Sequence, residues 1–141
     1  MNVNLPGTAL LVEDLMAKEP IVVLADASLS EAARLLDEYD ISGLPVVAPD
    51  GGLVGVLSQT DLVRARATEW LWANWTGLHV RHLMTSPPVT IDRGASVEAA
   101  AIKMERQGVH RLVVVSHEDV TVPIGVISTS DLVRVLARSD R

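Results

Sequence analysis

Two short stretches of the chain carry side chains able to hold a small polar molecule: Gly55-Val56-Leu57-Ser58-Gln59-Thr60-Asp61 and Gly125-Val126-Ile127-Ser128-Thr129-Ser130-Asp131. A carboxylate can accept both hydroxyls of a sugar diol, a nearby hydroxyl can bond sugar or phosphate, and free N–H groups at a helix start favour anions. The same Ser-x-x-Asp spacing is also a capping box, and glycine permits a sharp exit from a strand. One copy alone fits either role; two identically spaced copies favour a ligand.

Other chemistries find little support. Neither stretch has the Gly-Lys-Ser/Thr ending of a phosphate-cradling loop. Ser58 and Ser128 have no nearby His-and-acid arrangement, so a nucleophile is not expected. His79, His82 and His117 show no zinc-ligand spacing and read as surface residues, and the chain has no cysteine. Met16, Met84 and Met104 fall at apolar positions that core packing accounts for. No paired acid and base appears, so no catalysis is expected.

The elements that must position the two stretches recur as a duplicated unit. Displaced by 68 positions, Val12-Glu13-Asp14-Leu15-Met16 falls on Val80-Arg81-His82-Leu83-Met84, Pro20 on Pro88, Ala27-Ser28 on Ala95-Ser96 and Leu44 on Leu112. After a two-residue insertion, Gly55–Arg64 falls on Gly125–Arg134. In the first copy Ile21–Leu24 reads as a strand and Ser28-Leu29-Ser30-Glu31 opens a helix. Strands follow at Leu44–Ala48 and Leu53–Leu57, joined by a tight Asp50-Gly51-Gly52 turn, and then a helix from Asp61 to Trp75. The second copy repeats this, with strands at Val89–Ile91, Leu112–Val115 and Ile124–Ile127. Its helices start at Ser96 and run from Ser128 to Ala137, and its Ser116–Asp119 connection is looser. The expected organisation is an N-terminal segment 1–11, repeat one 12–65, a Trp-rich helical linker 66–79, repeat two 80–136 and a tail 137–141. The expected fold is α+β: two β-α-β-β-α repeats packed sheet to sheet with pseudo-two-fold symmetry, since neither copy alone buries both faces of its sheet. Trp70, Trp72 and Trp75 either cover the core or mark a subunit interface.

The totals agree with such a unit. Forty-eight per cent of the 141 residues are hydrophobic, yet only 3% are aromatic and none is Phe, so the core must be aliphatic. A net charge of −6 argues against general nucleic-acid binding. No run approaches a membrane span and no secretory signal is evident, so a cytoplasmic location is expected.

Taken together, Gly55–Leu62 and Gly125–Leu132, the openings Val12–Met16 and Val80–Met84 with their following prolines, and the strand entries Ile41–Val47 and Val109–Val115 resemble a tandem pair of cystathionine-β-synthase (CBS) domains, over about Val12–Leu136. The resemblance implies a regulatory module that binds AMP, ADP, ATP or S-adenosylmethionine in a cleft between repeats and signals by conformational change, with no cofactor required. By that analogy site one takes Val56, Ser58, Thr60, Asp61, Met84, Val89, Val109, His110 and Arg111. Site two takes Met16, Ile21, Ile41, Ser42, Val126, Ser128, Ser130 and Asp131. Aspartate would hold ribose, apolar side chains the adenine, and hydroxyls with His110 and Arg111 the phosphate. Site two has Ser42-Gly43 in place of His110-Arg111, so site one is expected to bind phosphorylated ligands more tightly. The resemblance also implies a homodimer through the helices beginning at Asp61 and Asp131. Met1–Leu11 and Ala137–Arg141 are too short for an output domain, so the output is expected to act on a separate target protein or on the oligomer. The alternative is a ligand-free interaction scaffold in which both Ser-x-x-Asp segments serve only as caps.

Overall fold

The computed structural model of the chain describes residues 10–139. Most of the expected N-terminal segment (1–9) and the end of the expected tail (140–141) lie outside the described residues. In chain order the elements are α1 (Val12–Leu15), β1 (Ala17–Lys18), β2 (Val23–Leu24), α2 (Leu29–Glu38), β3 (Gly43–Val47), β4 (Leu53–Ser58), α3 (Gln59–Ala67), α4 (Glu69–Ala73), a 3-10 turn (Trp75–Gly77), α5 (Val80–Leu83), β5 (Thr90–Asp92), α6 (Val97–Gln107), β6 (Arg111–Val115), β7 (Gly125–Ser128) and α7 (Thr129–Ser139). The mixture is α+β. It divides into two compact units: residues 20–88, the first, and residues 10–19 with 89–139, the second.

The first unit holds a sheet of order β2-β3-β4, with β2 parallel and β4 antiparallel to β3. Its helix α2 starts where Ser58's counterpart in role, Ser28, accepts the Glu31 N–H at 3.1 Å, and it buries Leu29, Ala32 and Leu36. These pack with Leu44, Val46, Leu57 and Leu62 in an aliphatic core. Asp50 Oδ1 accepts the Gly52 N–H at 2.8 Å, and Gly51 takes φ +89°, which makes the tight turn that the Asp-Gly pair predicts.

The second unit holds β1-β7-β6-β5, again with one parallel pair (β5 and β6) and the rest antiparallel. Its helix α6 is capped by Ser96, which accepts the Ala99 N–H at 3.0 Å, and ends at Gly108 in the left-handed region. Val12, Ala100, Met104, Leu112, Val114 and Ile127 form its core.

The units do not coincide with the sequence repeats. The opening helix of each repeat docks on the body of the other. In the second unit the Val12 N–H donates to the Ala95 carbonyl at 2.8 Å, and β1 pairs with β7. In the first, the Val80 N–H donates to the Ala27 carbonyl at 2.9 Å, and Thr85 bridges Val56.

Two expected elements differ. The helix predicted from Asp61 to Trp75 is broken at Thr68, whose backbone is extended at φ −91°, ψ 120°. Its hydroxyl donates to the Arg64 carbonyl at 3.1 Å and its carbonyl receives the Trp72 N–H, so this β-branched residue closes one helix and opens the next. The strand predicted over Ile21–Leu24 contains only Val23 and Leu24. In the parallel register Val23 faces Val46, which places Val22 beside Pro45, a residue with no N–H to give the ladder.

Trp75 packs against the first core and its indole N–H donates to Ser30 Oγ at 3.4 Å. Trp70 and Trp72 remain 65% and 52% exposed, with the Arg66 guanidinium 3.5 Å from the Trp72 ring centre. Trp75 thus covers core, while Trp70 and Trp72 face outward.

Candidate functional site

Each Gly-h-h-Ser-x-x-Asp stretch turns from the last strand of its sheet directly into a helix. In β4, Gly55 and Leu57 are buried while Val56 and Ser58 are half-buried on the opposite face. In β7 the alternation is the same, with Gly125 and Ile127 buried and Val126 and Ser128 half-buried. Period two thus turns the predicted ligand residues away from the helix-covered core.

The glycines are required by close approach. A Cβ on Gly55 would lie 2.7 Å from Met84 Sδ and 2.9 Å from the Thr85 carbonyl oxygen. On Gly125 it would lie 2.4 Å from Met16 Sδ and 3.0 Å from the Ala17 carbonyl oxygen. The opening methionine of one repeat therefore seats on the strand glycine of the other, Met84 on β4 at Gly55 and Met16 on β7 at Gly125.

The carboxylates serve their own turns in part. Asp61 Oδ2 accepts the Ser58 N–H at 2.8 Å, and Ser58 Oγ accepts the Asp61 N–H at 3.1 Å, a complete capping box. Asp131 Oδ2 accepts the Ser128 N–H at 2.8 Å and the Ser128 hydroxyl at 3.1 Å. The second oxygens differ. Asp131 Oδ1 pairs with Arg134 Nη1 at 3.1 Å, whereas Asp61 forms no ion pair among the described residues.

Within each unit the strand register also fixes the neighbours of these turns. Gly43 lies opposite Ser58, and the Gln59 N–H donates to the Ser42 carbonyl at 2.9 Å. Arg111 lies opposite Ser128, and the Thr129 N–H donates to the His110 carbonyl at 2.9 Å. The backbone thus sets Ile41-Ser42 beside the first stretch and His110-Arg111 beside the second. The family resemblance groups Ser42 with Asp131 and Arg111 with Asp61, so each expected grouping draws on residues of both units. Of the site-one set, Val56, Ser58, Thr60, Asp61 and Met84 share the first unit, while Val89, Val109, His110 and Arg111 belong to the second. Of the site-two set, Met16, Val126, Ser128, Ser130 and Asp131 share the second unit, while Ile21, Ile41 and Ser42 belong to the first.

Ile21, Ile41 and Met84 rest against the first core, and Met16, Val89 and Val109 against the second, each partly buried. Thr60 and Ser130 are exposed, and Arg111 is half-buried. Sequence reasoning missed three residues at the turns. Gln59 donates its side-chain N–H to the Ile41 carbonyl at 3.3 Å, and the Thr129 hydroxyl donates to the His110 carbonyl at 3.0 Å. Arg134 pairs with Asp131, and its i,i+3 spacing was the available signal.

The His79 and His82 rings lie tilted with their centres 5.7 Å apart, and His82 Nδ1 accepts the His79 N–H at 2.8 Å. His117 lies 3.4 Å from Asp92. Among the described residues no helix is long and apolar enough to cross a membrane.

Solved structures share this architecture. The CBS domain pair of protein MJ0100, in complex with 5′-methylthioadenosine and S-adenosyl-L-methionine, is 28% identical, with a TM-score of 0.83 over 93% of this chain and 98% of that one. CBSX2 of Arabidopsis thaliana in complex with AMP is 29% identical, with a TM-score of 0.76 over 93% of this chain and 98% of that one. Among curated proteins, the L-aspartate semialdehyde sulfurtransferase of Methanocaldococcus jannaschii is 29% identical over 125 residues, 89% of this chain and 23% of that protein, so the chain spans about a quarter of that relative's length. The CBS domain profile matches residues 12–68 and 80–138, and with both repeats accounted for, the chain belongs to the CBS domain family.

Proposed function

We propose that this chain is a regulatory, non-catalytic module that senses an adenosyl ligand (AMP, ADP, ATP or S-adenosylmethionine) with Asp61 and Asp131 accepting the sugar hydroxyls. The observation that carries the reading is the duplicated Ser-x-x-Asp turn, presented in each unit on the strand face turned from the core. Similar CBS pairs bind 5′-methylthioadenosine, S-adenosylmethionine or AMP, which supports the class of ligand. Val56, Met84, Ile21 and Ile41 in the first unit, and Val126, Met16, Val89 and Val109 in the second, supply apolar contact for adenine. Ser42, Ser58, Thr60, Ser128 and Ser130 supply hydroxyls. His110 and Arg111 supply donors for phosphate, with the guanidinium suited to a bidentate grip.

A thermal-shift panel of AMP, ADP, ATP, S-adenosylmethionine and 5′-methylthioadenosine tests the reading. A ligand at a hundred times its Kd stabilises the folded state by about 2.7 kcal/mol, a readily measured rise in Tm. Titration calorimetry of Asp61→Ala and Asp131→Ala then assigns the loss: each variant should lose one binding step. No shift with any of the five compounds rejects the reading.

That result would instead favour a ligand-free scaffold, the second reading, which rests on one oxygen of each aspartate being committed to a cap. In either case the exposed apolar residues Ile102 on α6 and Val133 and Leu136 on α7 are proposed as a self-association face of the second unit, and Val63 on α3 as a self-association position of the first. Between α6 and α7, Ile102 and Leu136 line an apolar groove of about 270 Å³ with Val97, Ala101, Leu132 and Val135. Sedimentation of a monomer at micromolar concentration would reject the dimer.

A further inference from the structure

We propose that Arg134 is a specificity-determining residue: it competes with a ligand's sugar for Asp131 and thereby makes the Asp131 turn select anionic adenosyl ligands over neutral ones. The inference rests on the adenosyl reading above. Asp131 is 13% exposed and both of its oxygens are engaged, Oδ2 by the cap and Oδ1 by the Arg134 guanidinium at 3.1 Å. A diol approaching Oδ1 meets that guanidinium first. A neutral ligand that takes its place leaves Arg134 with water alone. A ligand bearing phosphate offers the displaced guanidinium a new acceptor, in the fork geometry that Arg and phosphate share. Arg134 is 58% exposed and its side chain is long, so it can swing from one acceptor to the other without disturbing the core.

The first unit supplies an internal control. Arg64 occupies the same place after Asp61 that Arg134 occupies after Asp131, yet among the described residues Arg64 and Asp61 form no ion pair. The Asp61 carboxylate therefore has no guanidinium to displace, and selection by this displacement belongs to the Asp131 turn.

The test is calorimetric titration with 5′-methylthioadenosine, which is neutral, and AMP, which is anionic. Both are titrated into wild type, Asp61→Ala, Asp61→Ala/Arg134→Gln and Asp61→Ala/Arg134→Lys, with the Tm of each unliganded protein as a check on folding. In the Asp61→Ala background, Arg134→Gln should tighten 5′-methylthioadenosine about fivefold, the scale of one exposed ion pair. It should also weaken AMP, so that the AMP preference falls by about tenfold or more. Arg134→Lys, which keeps the charge but loses the fork, should lie between and covers the case in which the Gln variant fails to fold. An unchanged or increased AMP preference in both variants overturns the role of Arg134 while leaving the adenosyl reading intact. Failure of wild type to bind either compound overturns both.

Discussion

The two units are built from matching segments, and the places where they part show which residues set local structure. The parallel ladder of the second unit is one pair longer: Thr90, Ile91 and Asp92 face Val113, Val114 and Val115, while in the first only Val23 and Leu24 are paired. The Val113 N–H donates to the Val89 carbonyl at 3.2 Å. Its counterpart by register is Pro45, which has no such donor. The long helices end differently too. Gly108 takes φ +64° where α6 stops, and the matching residue after α2 is Asp40, held at φ +51°. One fold thus tolerates two chemistries at each point, and the difference in cost between them is measurable.

The largest effect is expected at the strand glycines. Gly55→Ala and Gly125→Ala should each lower stability by about 1–3 kcal/mol, because the added methyl overlaps packed atoms. The pair separates on rescue. At Gly125 the severe overlap is with the flexible Met16 Sδ, at 2.4 Å, and the backbone contact is 3.0 Å. At Gly55 the Thr85 carbonyl itself is at 2.9 Å. Adding Met16→Ala to Gly125→Ala should therefore recover more of the denaturant midpoint, relative to Met16→Ala alone, than adding Met84→Ala to Gly55→Ala. Equal recovery would mean that backbone and side-chain obstruction do not differ.

The ladder comes next. Val113→Pro imposes the first unit's solution on the second and removes a donor from the Val89 carbonyl, which should cost about 1–2 kcal/mol. Amide exchange should rise at Thr90 to Asp92 and stay unchanged in α7. The smaller exchange is at the helix ends. Asp40→Gly relieves a left-handed residue of its side chain and should stabilise by up to about 1 kcal/mol, and Gly108→Asp should do the reverse. A destabilising Asp40→Gly would mean that the aspartate side chain contributes more there than its backbone strain takes away.

Repeat order, the capping serines, the Asp-Gly turn and the aliphatic core were all legible in the residues, because each is a local signal or a repeated one. The site was legible as residue types, since Ser58, Asp61, Ser128 and Asp131 stand at strand-to-helix turns as their spacing implies. The pairing of Met84 with Asp61 and of Met16 with Asp131 followed from the family resemblance, and each pair lies within one unit. That Arg111 faces Ser128 across a ladder depends on strand register, which no local pattern encodes. The break at Thr68 was missed for a related reason: the apolar and aromatic run through Trp75 keeps a helical period while a single extended residue resets the axis.

The smallest effect concerns acid. Among the described residues, the carboxyls held below their ordinary value, Asp92 and Asp119, both belong to the second unit. For Asp92 the chief cause is the Gly94 N–H, donated to Oδ2 at 2.8 Å, followed by interactions with His117; for Asp119 it is the hydroxyl of Thr121, then its N–H. A carboxyl lowered on folding contributes stability that is complete above its unfolded value, about 3.9, and that drains away as the pH falls through the folded one. Acid should therefore loosen the second unit first. All three tryptophans, Trp70, Trp72 and Trp75, lie in the first unit, so indole fluorescence follows that unit alone. On titration below pH 4, far-ultraviolet circular dichroism should begin to fall before the fluorescence moves. In Asp92→Asn/Asp119→Asn, which has already lost the contribution at neutral pH, the stability difference from wild type should close as the pH is lowered. Coincident transitions in wild type, with a difference that stays constant down to pH 2, would place the acid response elsewhere in the chain.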